Sequence, residues 1–251
     1  MIELKNIDCI NYLKEQKNEV FDIIIADPPY SSGGMTRSDR NASTTSKYLQ
    51  AGSSNREKLP DFAGDNKDQR SYKYWSQLWM SEAMRCTKKG GVFLCFTDWR
   101  QLPITTDAVQ AAGWVWRGVI PWVKPNGRPT ADRYTNSCEY IVWATNGPRE
   151  SNCKISNSKY PRGWYEHKTS QNRIHVTEKP VELYRHLYQI CKDGYHIYDP
   201  FLGSGTSAIA AHIEGRNLKF TGTELVPEVF DIAQKKVKEV TAQIELFNDQ
   251  P

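Results

Sequence analysis

The chain has 251 residues, of which 39% are hydrophobic and 25% charged, with a formal net charge of +4. This length suits one α/β domain with elaborations, and the composition is that of a globular protein. No apolar run approaches the ~18 residues of a membrane span. Residues 1–6 carry charged and amide side chains where a secretory leader has an apolar core. We therefore expect one domain spanning residues 1–251, cytoplasmic and not attached to a membrane.

The cysteines argue against a metal site or a disulfide framework. There are six of them, and the closest two, Cys86 and Cys95, are nine residues apart. Zinc sites and disulfide scaffolds show tighter spacings such as Cys-x-x-Cys. We expect free thiols in a reducing compartment and no metal.

Positive charge is concentrated in the middle of the chain. Residues 31–75 carry a net +3 and residues 115–175 a net +6, so the remainder is acidic. This distribution favours a polyanionic partner, although uneven solvated faces are also common.

The hydrophobic pattern alternates between strands and helices. In the first part of the chain it predicts a strand and a helix within 3–18, a strand at 21–26, a helix at 72–86 ended by Gly90-Gly91, and a strand at 92–96. A helix at 101–112 and strands at 114–122 and 139–144 follow. The last part contains a helix opening at Pro180, a strand at 195–198, a helix at 206–214, a strand at 218–223 and a helix at 227–247. Such alternation is typical of a doubly wound, mostly parallel α/β sheet. Two irregular stretches, 31–70 and 145–178, interrupt it, and loops this long are usually functional or mobile.

A glycine-rich turn stands between a predicted strand and a predicted helix, at residues 199–206 (Asp-Pro-Phe-Leu-Gly-Ser-Gly-Thr). Glycines allow a tight turn, and the helix N-terminus offers free N–H groups to a ligand. Nineteen residues after Gly205, Glu224 ends the next predicted strand, where a carboxylate can accept ribose hydroxyls. No lysine follows Gly205, so the turn is not a P-loop. The pattern leaves open a dinucleotide, another adenosine-bearing cofactor or a turn without a ligand.

The second motif is Asp27-Pro28-Pro29-Tyr30, directly after the predicted strand at 21–26. Ligands of open α/β sheets bind at the carboxyl ends of strands. Two prolines fix two φ angles and remove two N–H donors, which holds the Pro28 carbonyl near the Asp27 carboxylate. Two fixed acceptors beside an aromatic ring suit the amino group of a nucleobase, although a proline turn with a buried tyrosine has the same sequence.

Together, the two motifs resemble those of the permuted beta group of DNA amino-methyltransferases, which methylate adenine N6 or cytosine N4. The order of the motifs, with Asp-Pro-Pro-Tyr early and Phe-x-Gly-x-Gly late, resembles the circularly permuted order found in that group. It implies a Rossmann-like methyltransferase sheet. Ile7 stands where that family usually has glycine, and Lys89 where it has proline. The other segments that resemble the family are 6–9, 88–93, 122–124 (Trp-x-Lys), 138–141 (x-Glu-x-Ile), 177–180 (Thr-x-Lys-Pro) and 223–225.

The resemblance implies S-adenosyl-L-methionine as cofactor, with Asp8 contacting its adenine and Lys179 its methionine carboxylate. The candidate catalytic residues are Asp27, Pro28, Pro29 and Tyr30. The candidate cofactor-binding residues are Asp8, Cys9, Asp27, Lys179, Asp199, Phe201, Gly203, Ser204, Gly205, Thr206, Glu224 and Leu225.

The resemblance also implies double-stranded DNA as substrate, with the target base flipped out and stacked on Tyr30. Adenine N6 is favoured, because cytosine-N4 enzymes more often have serine where Asp27 stands. Target recognition is expected in residues 145–178, residues 31–70 are expected to form a mobile loop over the target base, and a homodimer is left open. The candidate phosphate contacts are Arg37, Arg40, Lys124, Arg128, Arg133, Arg162 and Arg173.

Other functions explain fewer of these motifs. A 5-methylcytosine enzyme needs a cysteine, normally after proline, and no Pro-Cys pair exists. A dehydrogenase leaves residues 27–30 unexplained. A DNA-binding protein without activity would need neither motif. RNA and protein-glutamine methylation also stay open, the latter usually with asparagine at the position of Asp27.

Overall fold

The computed structural model describes residues 1–31, 66–127, 129, 131–132, 134–149, 160–168 and 178–248. These residues form one eight-stranded sheet with helices packed on both faces. The strands are β1 (Ile2–Asn6), β2 (Phe21–Ala26), β3 (Thr87–Thr97), β4 (Val115–Val123), β5 (Cys138–Thr145), β6 (Tyr165–Glu166), β7 (His196–Asp199) and β8 (Lys219–Glu224). The helices are α1 (Cys9–Glu15), α2 (Gln69–Cys86), α3 (Leu102–Ala111), α4 (Val181–Tyr188), α5 (Thr206–Glu214) and α6 (Pro227–Asn248).

The sheet has the order β1-β8-β7-β2-β3-β5-β4-β6. All pairings are parallel except those of β5, which runs antiparallel to both β3 and β4. The expected doubly wound, mostly parallel sheet is therefore confirmed. Because β2 lies beside β7, the strand that precedes the first motif is the neighbour of the strand that precedes the second.

Two hydrophobic cores lie on opposite faces of this sheet, and β2 contributes to both. Ile23 and Ile25 pack in the core under α4, α5 and α6. Phe21, Ile24 and Ala26 pack in the core under α1, α2 and α3. Alternate side chains of a strand point to opposite faces, so a strand covered on both sides must be apolar throughout.

Three local expectations differ from the structure. Helix α2 ends at Cys86 as predicted, but Gly90-Gly91 does not terminate it, because both glycines lie inside β3 where its register against β2 shifts. A Cβ on Gly91 would come within 2.9 Å of the Asp22 carbonyl oxygen, which explains a glycine in mid-strand. Pro180 is the N-cap of α4 rather than its first helical residue. Strand β6 was not predicted.

The two irregular stretches lie largely outside the described residues. Of residues 31–70 the structure describes 31 and 66–70, and of 145–178 it describes 145–149, 160–168 and 178. The Ser31 hydroxyl accepts the Lys67 N–H (3.3 Å), so the chain leaves and re-enters the described part at neighbouring points. Among the described helices none has the length and apolarity of a membrane span.

Candidate active site

The glycine-rich turn joins β7 to α5 with two residues in the left-handed region. Gly203 has φ +53° and Gly205, the N-cap of α5, has φ +81°. A Cβ on Gly205 would lie 2.7 Å from Cγ2 of Val237 on α6, so glycine lets α5 and α6 pack closely. The hydroxyls of Ser204 and Thr206 lie 3.1 Å apart and are buried in this turn.

Acidic side chains brace the turn from two strands. Glu224, at the end of β8, accepts the N–H of Gly203 and, on its other oxygen, the N–H of Val226 (both 3.0 Å). Asp199, at the end of β7, accepts the Phe201 N–H and the Ser207 hydroxyl. Burial raises the pKa of Asp199 to about 7. The turn thus has two carboxylates at its base, each already anchored to the backbone.

The carboxyl end of β1 contributes to the same edge of the sheet. Asp8 caps α1, and its Oδ1 accepts the N–H groups of Ile10 and Asn11 (both 3.0 Å). Cys9 is buried beneath it. Asn6 pairs with Glu224 across the two strands, so Asp8 and Glu224 follow neighbouring strand ends.

The second motif forms a buried ionic network at the end of β2. Lys179 donates to both oxygens of Asp27, at 2.8 and 2.7 Å. The Tyr30 hydroxyl donates to Asp27 Oδ1 at 2.8 Å and lies 3.1 Å from Glu139 Oε2. Lys179 is only 4% exposed, whereas Asp27 keeps 17% of its side chain accessible. A ligand can therefore reach Asp27, but not the lysine behind it.

Glu139 and Lys124 complete the network. Glu139 lies 3.0 Å from Lys124 Nζ and 3.5 Å from Lys179 Nζ. Burial alone would raise the pKa of Glu139, but the two ammonium groups outweigh it and hold that pKa below its ordinary value. In turn, Asp27 and Glu139 overcome burial and raise the pKa of Lys179. Two carboxylates and two ammonium groups thus form a neutral set, which buried charges require.

Sheet topology brings these residues together. Asp27 follows the carboxyl end of β2 and Lys124 that of β4, and these two strands point the same way. Glu139 stands near the amino end of β5, and because β5 is antiparallel its beginning lies at that same edge. The ionic network combines three strand ends with Lys179, which directly precedes the N-cap of α4.

A family model described as DNA methylase matches residues 21–235, most of the chain. The chain belongs to this DNA methylase family. It is 27% identical to the type II methyltransferase M.HinfI of Haemophilus influenzae over 93% of this chain and 67% of that protein. It is 26% identical to the type II methyltransferase M2.DpnII of Streptococcus pneumoniae over 94% and 89% of the two chains.

Solved structures show the same fold. The crystal structure of the M1.HpyAVI–SAM complex matches this methylase with a TM-score of 0.62, at 22% identity, over 94% of this chain and 98% of that one. The expected family and fold are thus confirmed. In the chain, the Asp-Pro-Pro-Tyr motif follows β2 and the glycine-rich turn follows β7.

The residues around the turn fit S-adenosyl-L-methionine, the cofactor that the sequence motifs led us to expect. A Cβ on Gly203 would meet only the Phe201 carbonyl oxygen, at 3.9 Å, so the turn has open space beside this residue, whereas the Cβ direction of Gly205 is filled by α6. Phe201 offers a partly buried ring held between Trp75 and Trp79 (centroids at 5.6 and 5.1 Å). Leu225, next to Glu224, is 56% exposed. Carboxylates, backbone N–H groups and exposed apolar side chains suit a cationic nucleoside.

Two residues of the methylase have partners other than those expected. Lys179 is engaged by Asp27 and Glu139, and its contact with the methionine carboxylate stays a prediction. Lys124 is paired with Glu139 and 18% exposed, and its contact with a phosphate likewise stays a prediction. Glu139 was missed as a site residue although its segment resembled the family, because no spacing rule links it to Asp27.

Of the other expected phosphate contacts, only Arg162 is described, and it is exposed beside β6. The remaining predictions of this kind fall outside the described residues, at Arg37, Arg40, Arg128, Arg133 and Arg173.

Within the described part, no cluster of three or more histidine, cysteine or acidic side chains could hold a metal ion.

Proposed function

We propose that this methylase transfers a methyl group from S-adenosyl-L-methionine to the N6 amine of an adenine that has flipped out of double-stranded DNA. The hydrogen bonds of Asp27 support this most directly. A carboxylate has about four acceptor positions. Three are used, two on Oδ1 by Tyr30 and Lys179 and one on Oδ2 by Lys179. One position on the accessible Asp27 thus remains for an amino group.

The residues of this chain divide into two groups around that amine. Gly203, Gly205, Asp199, Glu224 and Phe201 form the cofactor side at the ends of β7 and β8. When bound, S-adenosyl-L-methionine supplies a methyl group on a sulfonium, which needs no covalent enzyme intermediate. β2 and β7 are adjacent, so the cofactor side lies next to Asp27.

Asp27 and the Pro28 carbonyl each accept one hydrogen of the target amine. An amine held this way has its lone pair drawn out of conjugation with the base and aimed at the methyl carbon. Positioning of this kind lowers the barrier by several kcal/mol, roughly. The fixed acceptors also stabilise the positive charge that develops on the nitrogen.

Burial raises the pKa of Asp27 above its ordinary value, and Lys179 opposes this rise and holds the carboxylate in place. Its two hydrogen bonds lock the carboxylate, and Glu139 offsets the excess positive charge that Lys179 and Lys124 would otherwise create beside the reacting nitrogen. The Tyr30 ring offers a π-face for the flipped base. Burial and the two carboxylates raise its pKa, so the phenol stays a hydrogen-bond donor.

Two parts of the chain complete the proposal. Residues 31–70 start next to Tyr30 and close over the target strand, and residues 145–178 contribute to target recognition. The protein acts in the cytoplasm, where its DNA and cofactor are found.

The test is direct. The protein is incubated with methyl-labelled S-adenosyl-L-methionine and unmethylated DNA, the DNA is digested to nucleosides, and the labelled nucleoside is identified. Label in N6-methyl-2′-deoxyadenosine is the expected result. Label in N4-methyl-2′-deoxycytidine would move the target to cytosine, and no label in DNA would overturn the proposal.

A further inference from the structure

A pocket of about 550 Å³ lies beside β6, at some remove from the cofactor turn. Its lining includes Tyr160, Arg162, Trp164, Tyr165, His167 and His186. The volume lies within the roughly 300–1,000 Å³ of small-molecule sites. We call it the β6 pocket.

The β6 pocket opens at the same edge of the sheet as the ionic network. Strand β6 is parallel to β4, and His167 follows its end as Lys124 follows that of β4. The His167 N–H donates to the Val123 carbonyl (3.1 Å), and the Trp122 indole donates to the His167 carbonyl (3.0 Å). Lys124, the residue after Val123, pairs with Glu139, which lies beside Tyr30. A ligand spanning the pocket and Asp27 would therefore follow one edge of the sheet.

The lining consists mainly of ring faces. Trp164 is 51% exposed and Tyr160 83% exposed, an unusual amount of open aromatic surface. On the inner side, the rings of Tyr165 and His186 stack at 5.0 Å with an angle of 12°. His167 Nε2 and His186 Nδ1 lie 2.9 Å apart, so a single proton joins the two imidazoles. Burial and the neighbouring His186 lower the pKa of His167, which favours the neutral form of His167.

These features favour a nucleobase over a bare anion. A phosphate site needs several converging N–H donors or cations, but among the described residues that line this pocket there is one guanidinium, that of Arg162, and also the carboxylate of Glu166. Exposed rings stack on any base, and a neutral imidazole such as that of His167 can donate to or accept from a base edge. Arg162 can meanwhile contact the adjoining phosphate.

We propose that the β6 pocket binds a second DNA base, one that leaves the duplex stack next to the target adenine and stacks on Trp164. This inference rests on the proposed function and extends it, because it assigns the methylase a contact that distinguishes the sequence around its target. A free nucleotide carries the same base and phosphate groups as a nucleotide of DNA. The test therefore distinguishes a DNA base from a free nucleotide.

The test compares Trp164→Ala, Trp164→Phe and Trp116→Ala with the wild type, on unmethylated plasmid DNA. Trp116 is a matched control, because it is 43% exposed but stands near the amino end of β4, at the opposite edge of the sheet. Trp164→Ala is expected to raise the KM for DNA about tenfold, as the loss of one base stack would. It should also change which sequences are methylated. Trp164→Phe and Trp116→Ala should stay within about twofold of wild type, and all should bind S-adenosyl-L-methionine normally.

Equal KM and equal methylated sequences for Trp164→Ala and Trp116→Ala would overturn the proposal. So would Trp164-dependent binding of AMP that plasmid DNA does not displace, which would make this a free-nucleotide site. If the wild type methylates no adenine, the proposed function fails separately. In that case DNA is titrated into the Asp27→Ala variant and into the Asp27→Ala/Trp164→Ala double variant, and their affinities for DNA are compared. Equal affinities would reject the β6 pocket as a DNA-binding site.

Discussion

Lys179 Nζ lies 2.7 Å from Asp27 Oδ2, although the two residues are 152 positions apart in the chain. The contact links the residue after β2 to the residue before the N-cap of α4, and only the packing of α4 on the sheet can form it. We interpret Lys179 as a support for the Asp27 carboxylate, which explains why a lysine is buried at this point.

Asp27→Ala is expected to abolish methyl transfer while S-adenosyl-L-methionine still binds, because Asp27 is assigned to the amine. The unfolding temperature should fall too, since Lys179 loses its nearest counter-charge. Transfer is measured with labelled cofactor and binding by calorimetry. Asp22→Ala is the matched control, because Asp22 is also a β2 carboxylate paired with a lysine, Lys88. Normal turnover of Asp27→Ala would contradict the assignment.

Glu139→Gln is expected to lower kcat by about ten- to a hundredfold, because it leaves Lys179 and Lys124 with one carboxylate and places net positive charge beside the reacting nitrogen. Glu214→Gln is the control. Glu214 is similarly buried and pairs with Arg185 and Arg216, away from the site. Single-turnover rates are the measurement, and equal rates for the two variants would show that Glu139 is only structural.

Tyr30→Phe is expected to retain most of the transfer rate, within about tenfold, since the ring face remains and one hydrogen bond to Asp27 is lost. Tyr30→Ala removes the ring and should cost about tenfold more again. Rates at saturating cofactor compare the two. If phenylalanine were as damaging as alanine, the hydroxyl rather than the ring would be the essential group.

Gly205→Ala is expected to destabilise the fold and weaken cofactor binding strongly. The left-handed φ costs alanine about 1–2 kcal/mol, and overpacking against Val237 adds roughly 1–3 kcal/mol. Gly194→Ala isolates the first cost, because Gly194 also has a positive φ (+74°) but no atom within 4 Å of the added Cβ. Urea unfolding measures both variants. Equal losses for the two would contradict the role of Gly205 in packing.

Asp199 makes stability depend on pH. Burial raises its pKa from an ordinary 3.8 to about 7, so between these values the folded state holds a proton that the unfolded state has released. Its contribution is complete below about pH 4 and is lost as the pH rises through 7. The loss is at most about 4 kcal/mol. In urea unfolding at pH 4.5, 6 and 8, Asp199→Asn should be less sensitive to this rise than the wild type, and parallel curves would refute the assignment.

Local patterns were sufficient for most elements and for both motifs. The apolar run at 21–26 could only be a strand covered on both faces, and Gly205 could only precede a helix in a tight turn, because backbone sterics restrict each choice within a few residues. Helix α2 begins at Gln69, three residues earlier than predicted, because Asp68 caps it. The end of α2 at Cys86 was predicted correctly, but Gly90 and Gly91, which were interpreted as its stop signal, lie at a strand irregularity in β3.

The sequence by itself determined the fold class, the two motifs and the acidic and glycine residues that follow parallel strands, because each depends on neighbouring residues. The tertiary structure decided which charges meet. Lys179 faces Asp27, and Glu139 joins them because β5 runs antiparallel and brings its first residues to the carboxyl edge. Strand order and direction depend on the packing of the whole sheet, and no local spacing encodes them.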